Sequence, residues 1–205
     1  MAEHPSLVLI PGLSDDGTLW AHQVRHLSDI TDARAADISG HETVEAMARS
    51  VLDKAPRRFA LAGFSLGGYV SLAILRIAPE RVAKLVLIAT SARADTEARR
   101  TERRRQIDAM AQPDGFEEHM CRDLSYVVHP SRLTDKPLVT TLLEMQGRQG
   151  VTVFVRQSKA CMVRPDSRPH LEKIACPTLV LSGREDRVLP LELSEEIARG
   201  IPNAR

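Results

Sequence analysis

The sequence predicts an α/β protein built on a doubly wound, mostly parallel sheet, and three observations carry that prediction. Leu7-Val8-Leu9-Ile10, Leu85-Val86-Leu87-Ile88-Ala89 and Thr178-Leu179-Val180-Leu181 are short runs, apolar or nearly so throughout, as strands covered on both faces require. Segments between them carry apolar residues at helical spacing. Strand and helix signals alternate, the order that lays successive strands side by side in parallel.

Taken in order, the first strand stops at the turn Pro11-Gly12. A helix is expected from about Thr18, with Leu19, Val24 and Leu27 inward, and residues 33–37 read as a strand. Residues 43–55 read as a helix capped by Thr43, with Val44, Met47, Val51 and Leu52 on one face. Phe59-Ala60-Leu61-Ala62 is the next strand. Val70, Ala73, Ile74 and Ile77 then fall at i, i+3, i+4, i+7, and Pro79 ends that helix. Residues 136–149 read as a helix with Leu138, Leu142 and Met145 on one face. Residues 151–162 read as another, facing inward through Val151, Phe154, Val155 and Met162, and a last helix starts near Pro190. The expected organisation is a core from residues 1–92 and 173–205, with a helical insertion at 93–172. That insertion would roof the C-terminal ends of the strands, where open α/β sheets bind ligands.

Composition excludes several classes of function. Of 205 residues 43% are hydrophobic and 27% charged, ordinary for a soluble domain, and a net charge of +1 gives no reason to expect nucleic acid or an anionic membrane as partner. No apolar run approaches the roughly 18 residues of a membrane span, and Met1-Ala2-Glu3-His4-Pro5 lacks the basic and apolar regions of a signal peptide. Cys121, Cys161 and Cys176 have no metal-ligand spacing, which fits reduced thiols in a cytoplasm. The basic run at 99–105 reads as a solvated helix, because aromatics, the stacking partners of nucleic acid, are only 3% of the chain. Few aromatics also leave a pocket lined by Leu, Val, Ile and Met, suited to a small apolar acyl or alkyl group. Arg156, Lys159 and Arg164 are candidates to touch a substrate carboxylate.

Gly63-Phe64-Ser65-Leu66-Gly67 carries the chemistry. A Gly-x-Ser-x-Gly turn between strand and helix forces the serine backbone into a strained conformation that thrusts its hydroxyl out. Gly63 and Gly67 leave room where a side chain would strike the neighbouring strand or helix. Serine needs a base, and the base a carboxylate. Asp186, in Gly183-Arg184-Glu185-Asp186 beyond the last strand, is the carboxylate expected on the same sheet edge, with Glu185 pointing elsewhere. The backbone N–H groups of Leu66 and Leu13 are placed to hold an oxyanion.

These residues resemble the α/β-hydrolase fold family, in particular its small bacterial serine esterase-like members. The resemblance includes Leu9-Ile10-Pro11-Gly12-Leu13, Trp20 and Gln23, the turn from Asp37 to His41, and Gly63-Phe64-Ser65-Leu66-Gly67-Gly68-Tyr69. It continues through Ala78-Pro79-Glu80-Arg81-Val82 and Cys176-Pro177-Thr178-Leu179-Val180 to Asp186. It implies Ser65 as nucleophile, Asp186 as triad acid, Leu13 and Leu66 as oxyanion hole, and a four-helix lid over roughly residues 93–172. It also implies a histidine after one further strand. Ile201-Pro202-Asn203-Ala204-Arg205 reads as the lead-in to that strand, so the histidine is expected about 10–15 residues past Arg205 and the sequence is expected to be a fragment. The seven histidines present read as solvated or core residues: His4 on the wrong sheet edge, His22 and His26 on a surface helix, His41 in a strand-end loop, and His119, His129 and His170 in the insertion. The expected activity is hydrolysis of a small apolar carboxylic ester without metal or organic cofactor. A carbon–carbon bond hydrolase, a lyase or a thioesterase would use the same triad, and a hydrolase-fold binder of small ligands is the non-enzymatic alternative.

Overall fold

Strict alternation along the strands sorts their side chains onto two faces of one sheet. The computed structural model describes residues 4–112 and 114–205, so the first three residues, read above for a signal peptide, lie outside it. Strands β1 (Ser6–Ile10), β2 (Asp32–Ala35), β3 (Phe59–Phe64), β4 (Val82–Ile88) and β5 (Thr178–Leu181) are all parallel, in the order β2-β1-β3-β4-β5. Val8, Ile10, Leu61, Leu85 and Leu87 turn to one face and join a buried cluster with α2 (Val44–Lys54), α3 (Leu66–Ile77) and α7 (Leu191–Gly200). Leu7, Leu9, Ala62, Phe64, Val86 and Ile88 turn to the other, around Trp20. The registers Leu9↔Ala62 and Ala62↔Val86 line these side chains up across three strands. Residues 203–205 begin a further parallel ladder on β5, with Arg205 N–H donating to the Thr178 carbonyl at 3.0 Å and Val180 N–H to the Arg205 carbonyl at 2.9 Å.

Thr43 caps α2 as expected, its hydroxyl oxygen accepting the Ala46 N–H. The helix after β1 differs from expectation. Asp16 captures the Thr18 N–H and starts a 3-10 turn, Gly17–Trp20, before the short helix α1 (Ala21–His26). The tighter turn rotates the following residues, so Trp20 is buried at 4% exposure while Val24, expected inward, faces solvent. Helix α3 is also deeper than its one-faced spacing suggests. Every residue from Leu66 to Leu75 is buried.

Between β4 and β5 lie α4 (Glu97–Met110), α5 (Gly115–Val127) and α6 (Lys136–Val163). Helix α6 is broken at Gly150, with φ 68° and ψ 175°, a backbone reserved almost entirely to glycine. The break yields the two helical arms expected at 136–149 and 151–162. Phe154 is buried, but Val151 is exposed, and the inner side of the second arm is completed by Gln157, Ser158, Ala160 and Cys161. No described helix is long and apolar enough to cross a membrane.

The basic run on α4 departs from a fully solvated face at one residue. Arg100, Arg104 and Arg105 pair with Glu97 or Glu102 at the surface, but Arg103 turns inward to Asp95, Nε to Oδ2 at 2.7 Å. Arg164 takes the other carboxylate oxygen of Asp95 at 2.6 Å and stacks its guanidinium 3.9 Å from the centre of the Tyr69 ring on α3. Asp95 and both arginines are almost fully enclosed, so each charge depends on the others. Arg164 is therefore occupied in the core and is not free to meet a substrate carboxylate.

Candidate active site

Ser65 sits between β3 and α3 with φ 52° and ψ −112°, a backbone rare for any residue with a side chain. Surrounding atoms hold it there. Its N–H donates to the Ile88 carbonyl at 2.9 Å, and its carbonyl accepts the Gly68 N–H at 2.9 Å and the Thr90 hydroxyl at 2.8 Å. A Cβ at Gly63 would strike the Gly67 carbonyl and Ser71 Oγ, and one at Gly67 would strike the Ile10 carbonyl. Glycine is needed at both positions because backbone passes too close for any side chain. The Ser65 side chain remains partly exposed, and its Oγ makes no hydrogen bond among the described residues. At the head of α3, the N–H of Leu66 is one that no intrahelical carbonyl can reach.

The loop after β1 lies against this turn. Leu13 is half-buried, and the next residue, Ser14, is buried and left-handed at φ 60°. Ser14 N–H donates to Gln157 Oε1 on α6 at 2.7 Å. Asp15 folds its carboxyl back on Gly12, and burial pushes its pKa up to about 7 against the opposing pull of a Gly12 hydrogen bond. Asp16 is the reverse case: although some burial opposes it, hydrogen bonds from Thr18 and the charge of Arg148 hold its carboxyl below the usual range.

Asp186 lies in the turn after β5, on the C-terminal sheet edge that also carries Ser65. Its Oδ1 accepts the N–H groups of Val188 at 2.9 Å and Leu189 at 2.8 Å, while Oδ2 takes no hydrogen bond among the described residues. Glu185 points away, exposed, to His129 Nε2 at 3.1 Å. Among the described residues no imidazole hydrogen-bonds Ser65 or Asp186. His22 and His26 stack on each other, and buried His119 pairs with Asp123 at 2.9 Å and meets Phe154 edge-on. Of the other candidate cations, Arg156 donates to the Ser39 carbonyl at 2.6 Å, and Lys159 is exposed.

Two contributors escaped the sequence reading. Thr90 steadies the Ser65 peptide from the end of β4, a placement signalled only by a hydroxyl residue directly following a buried strand. Gln157 reaches the β1 loop across 143 residues, a contact for which no local pattern exists.

Comparisons with known proteins give the family. The sequence model described as "Alpha/beta hydrolase family" matches residues 7–205. A pimeloyl-[acyl-carrier protein] methyl ester esterase from Nitrosomonas europaea is 24% identical over 222 residues, covering 98% of this chain and 85% of its own. A thermophilic esterase from Thermogutta terrifontis, solved with malate bound, superposes with a TM-score of 0.87 at 27% identity, over 99% of this chain and 80% of that one. A hydrolase from Pseudomonas aeruginosa gives a TM-score of 0.88 at 26% identity, over 100% of this chain and 81% of that one. With the family model matching nearly the whole chain and a serine held in a strained turn at the C-terminal edge of a parallel sheet, the protein is a member of the alpha/beta hydrolase family.

Proposed function

We propose that the protein is a serine hydrolase cleaving a small carboxylic ester, with Ser65 as nucleophile and Asp186 as the carboxylate that orients the base. The observation that carries this reading is the Ser65 backbone, held at φ 52° by three hydrogen bonds and two glycine contacts. A protein keeps such strain where the exposed hydroxyl has a task. Ser65 Oγ adds to the ester carbonyl as the base removes its proton. The negative charge on the carbonyl oxygen is met by the N–H groups of Leu13 and Leu66. The base then gives its proton to the departing alcohol, and water releases the acyl group from Ser65.

Asp186 suits its role because two backbone N–H groups fix one oxygen while the other is free to accept from an imidazole. The segment 93–172 acts as a lid over the serine, and the ester chemistry of the Nitrosomonas and Thermogutta relatives supports the substrate class. A fluorophosphonate probe tests the reading: it labels the wild-type chain at Ser65 and not Ser65→Ala. Labelling that survives this substitution ends it.

A further inference from the structure

The second arm of α6 bears a group that touches the proposed oxyanion loop directly. Gln157 is completely buried, yet only its Oε1 is used, accepting the Ser14 N–H at 2.7 Å. Its Nε2 and the Ser14 hydroxyl are buried without partners among the described residues. A buried polar group left unpaired is costly, so an apolar side chain would fill this place at lower cost unless the amide were needed. What it holds is a residue in the left-handed region, at φ 60°. That conformation is unfavourable for a non-glycine residue and persists only where a contact fixes it. The first arm of α6 grips the same loop two residues on, through Arg148 Nε to Asp16 Oδ2 at 3.0 Å and Arg148 Nη2 to Thr18 Oγ1 at 2.8 Å. The loop that carries the Leu13 N–H is thus held from above, on both sides of the Gly150 break.

We propose that Gln157 is a positioning residue: by capturing the Ser14 N–H it fixes the Leu13–Ser14 peptide and makes the oxyanion hole complete only when α6 is docked. The proposal rests on the reading of Ser65 as nucleophile and of Leu13 as an oxyanion donor. It separates two oxygen-binding groups by origin, since the Leu66 donor is built by the core and the Leu13 donor is set by the lid.

The test uses the full chain with Gln157→Met, which keeps length and volume but lacks the acceptor, and Gln157→Glu, which keeps the acceptor. One measurement is hydrogen exchange of the Ser14 amide by NMR. The other is binding of phenylboronic acid, whose trigonal boron takes Ser65 Oγ, releasing the hydroxyl proton to solvent and leaving a tetrahedral boronate anion in the oxyanion hole. Expected are faster Ser14 exchange and boronate binding weakened roughly 10-fold or more in Gln157→Met, with Ser14 protection retained in Gln157→Glu. Far-UV circular dichroism and the exchange of β3 amides report whether the variants remain folded, and Ser14 exchange in Ser65→Ala stays at the wild-type value. Wild-type boronate binding that Gln157→Met leaves unchanged overturns the proposal alone. Absence of boronate on Ser65 in the wild type overturns the nucleophile reading and the proposal together. Should Gln157→Met unfold, Gln157→Glu still decides: unprotected Ser14 in a folded Gln157→Glu also overturns it.

Discussion

The turn around Ser65 and the arm of α6 above it each place one polar group, but they do so by opposite means. At Ser65 the work is done mostly by backbone: strand ends, a helix start and two glycines packed against carbonyl oxygens, with Ile10 and Ile88 brought in by the neighbouring strands. On α6 it is done by long side chains, Gln157 and Arg148, reaching a loop far away in the chain. Backbone packing leaves no room for an added atom and allows little movement. Side-chain contacts fix the loop less tightly, because they act through long, rotatable chains on either side of the glycine break in α6. The contrast teaches that one half of a site can be rigid by construction while the other is conditional on docking.

Substitutions can break this contrast, beginning with the strongest. Gly67→Ala drives a methyl group into the Ile10 carbonyl and should cost about 4 kcal/mol or prevent folding, seen as a lost or lowered thermal transition. Asp95→Ala leaves Arg103 and Arg164 buried without their carboxylate, and urea denaturation should show a loss of about 3–5 kcal/mol. An effect that large would show that the helical segment is anchored by charge as firmly as the turn is by packing.

Asp15→Asn probes the loop between the two regions. The folded-state pKa is raised from 3.8 to about 7, so the native state holds a proton that the unfolded chain gives up across that range. Stability from this group is complete below about pH 4, declines as pH rises to about 7, and changes no further above it. The asparagine variant should lack that decline and be more stable than wild type above pH 7, by up to about 4 kcal/mol in pH-dependent denaturation. A parallel slope in both proteins would show that the Asp15 carboxyl is not enclosed. Gly150→Ala has the smallest expected effect. Nothing lies within 4 Å of the added methyl, so only the backbone strain at φ 68° and ψ 175° registers, about 1–3 kcal/mol, read as a lowered thermal midpoint.

The same contrast decides what could be read from the chain. Ser65, its flanking glycines, the caps and the central strands announce themselves because their signals are local: a fixed spacing, a threonine before a helix, an apolar run of strand length. Thr178–Leu181 was legible to the residue. Val24 was misplaced because Asp16 starts a 3-10 turn, and about 3 residues per turn in place of about 3.6 moves the side chains that follow to another face. Arg103 was misread for a related reason. Its neighbours on α4 are solvated, and what draws it inward is a buried carboxylate eight residues earlier, whose other oxygen is held by Arg164. Gln157 was invisible, since a glutamine on a helix gives no sign of a partner in the β1 loop.

Asp95 has one more consequence. It precedes α4, while Arg164 follows α6, so a single carboxylate fastens together the two points where the helical segment leaves and rejoins the core. Stems clasped in this way make everything between them a loop of fixed mouth, whose length adds little to the entropy of closing it. The length of chain between the stems can change while both attachment points stay held by the same carboxylate.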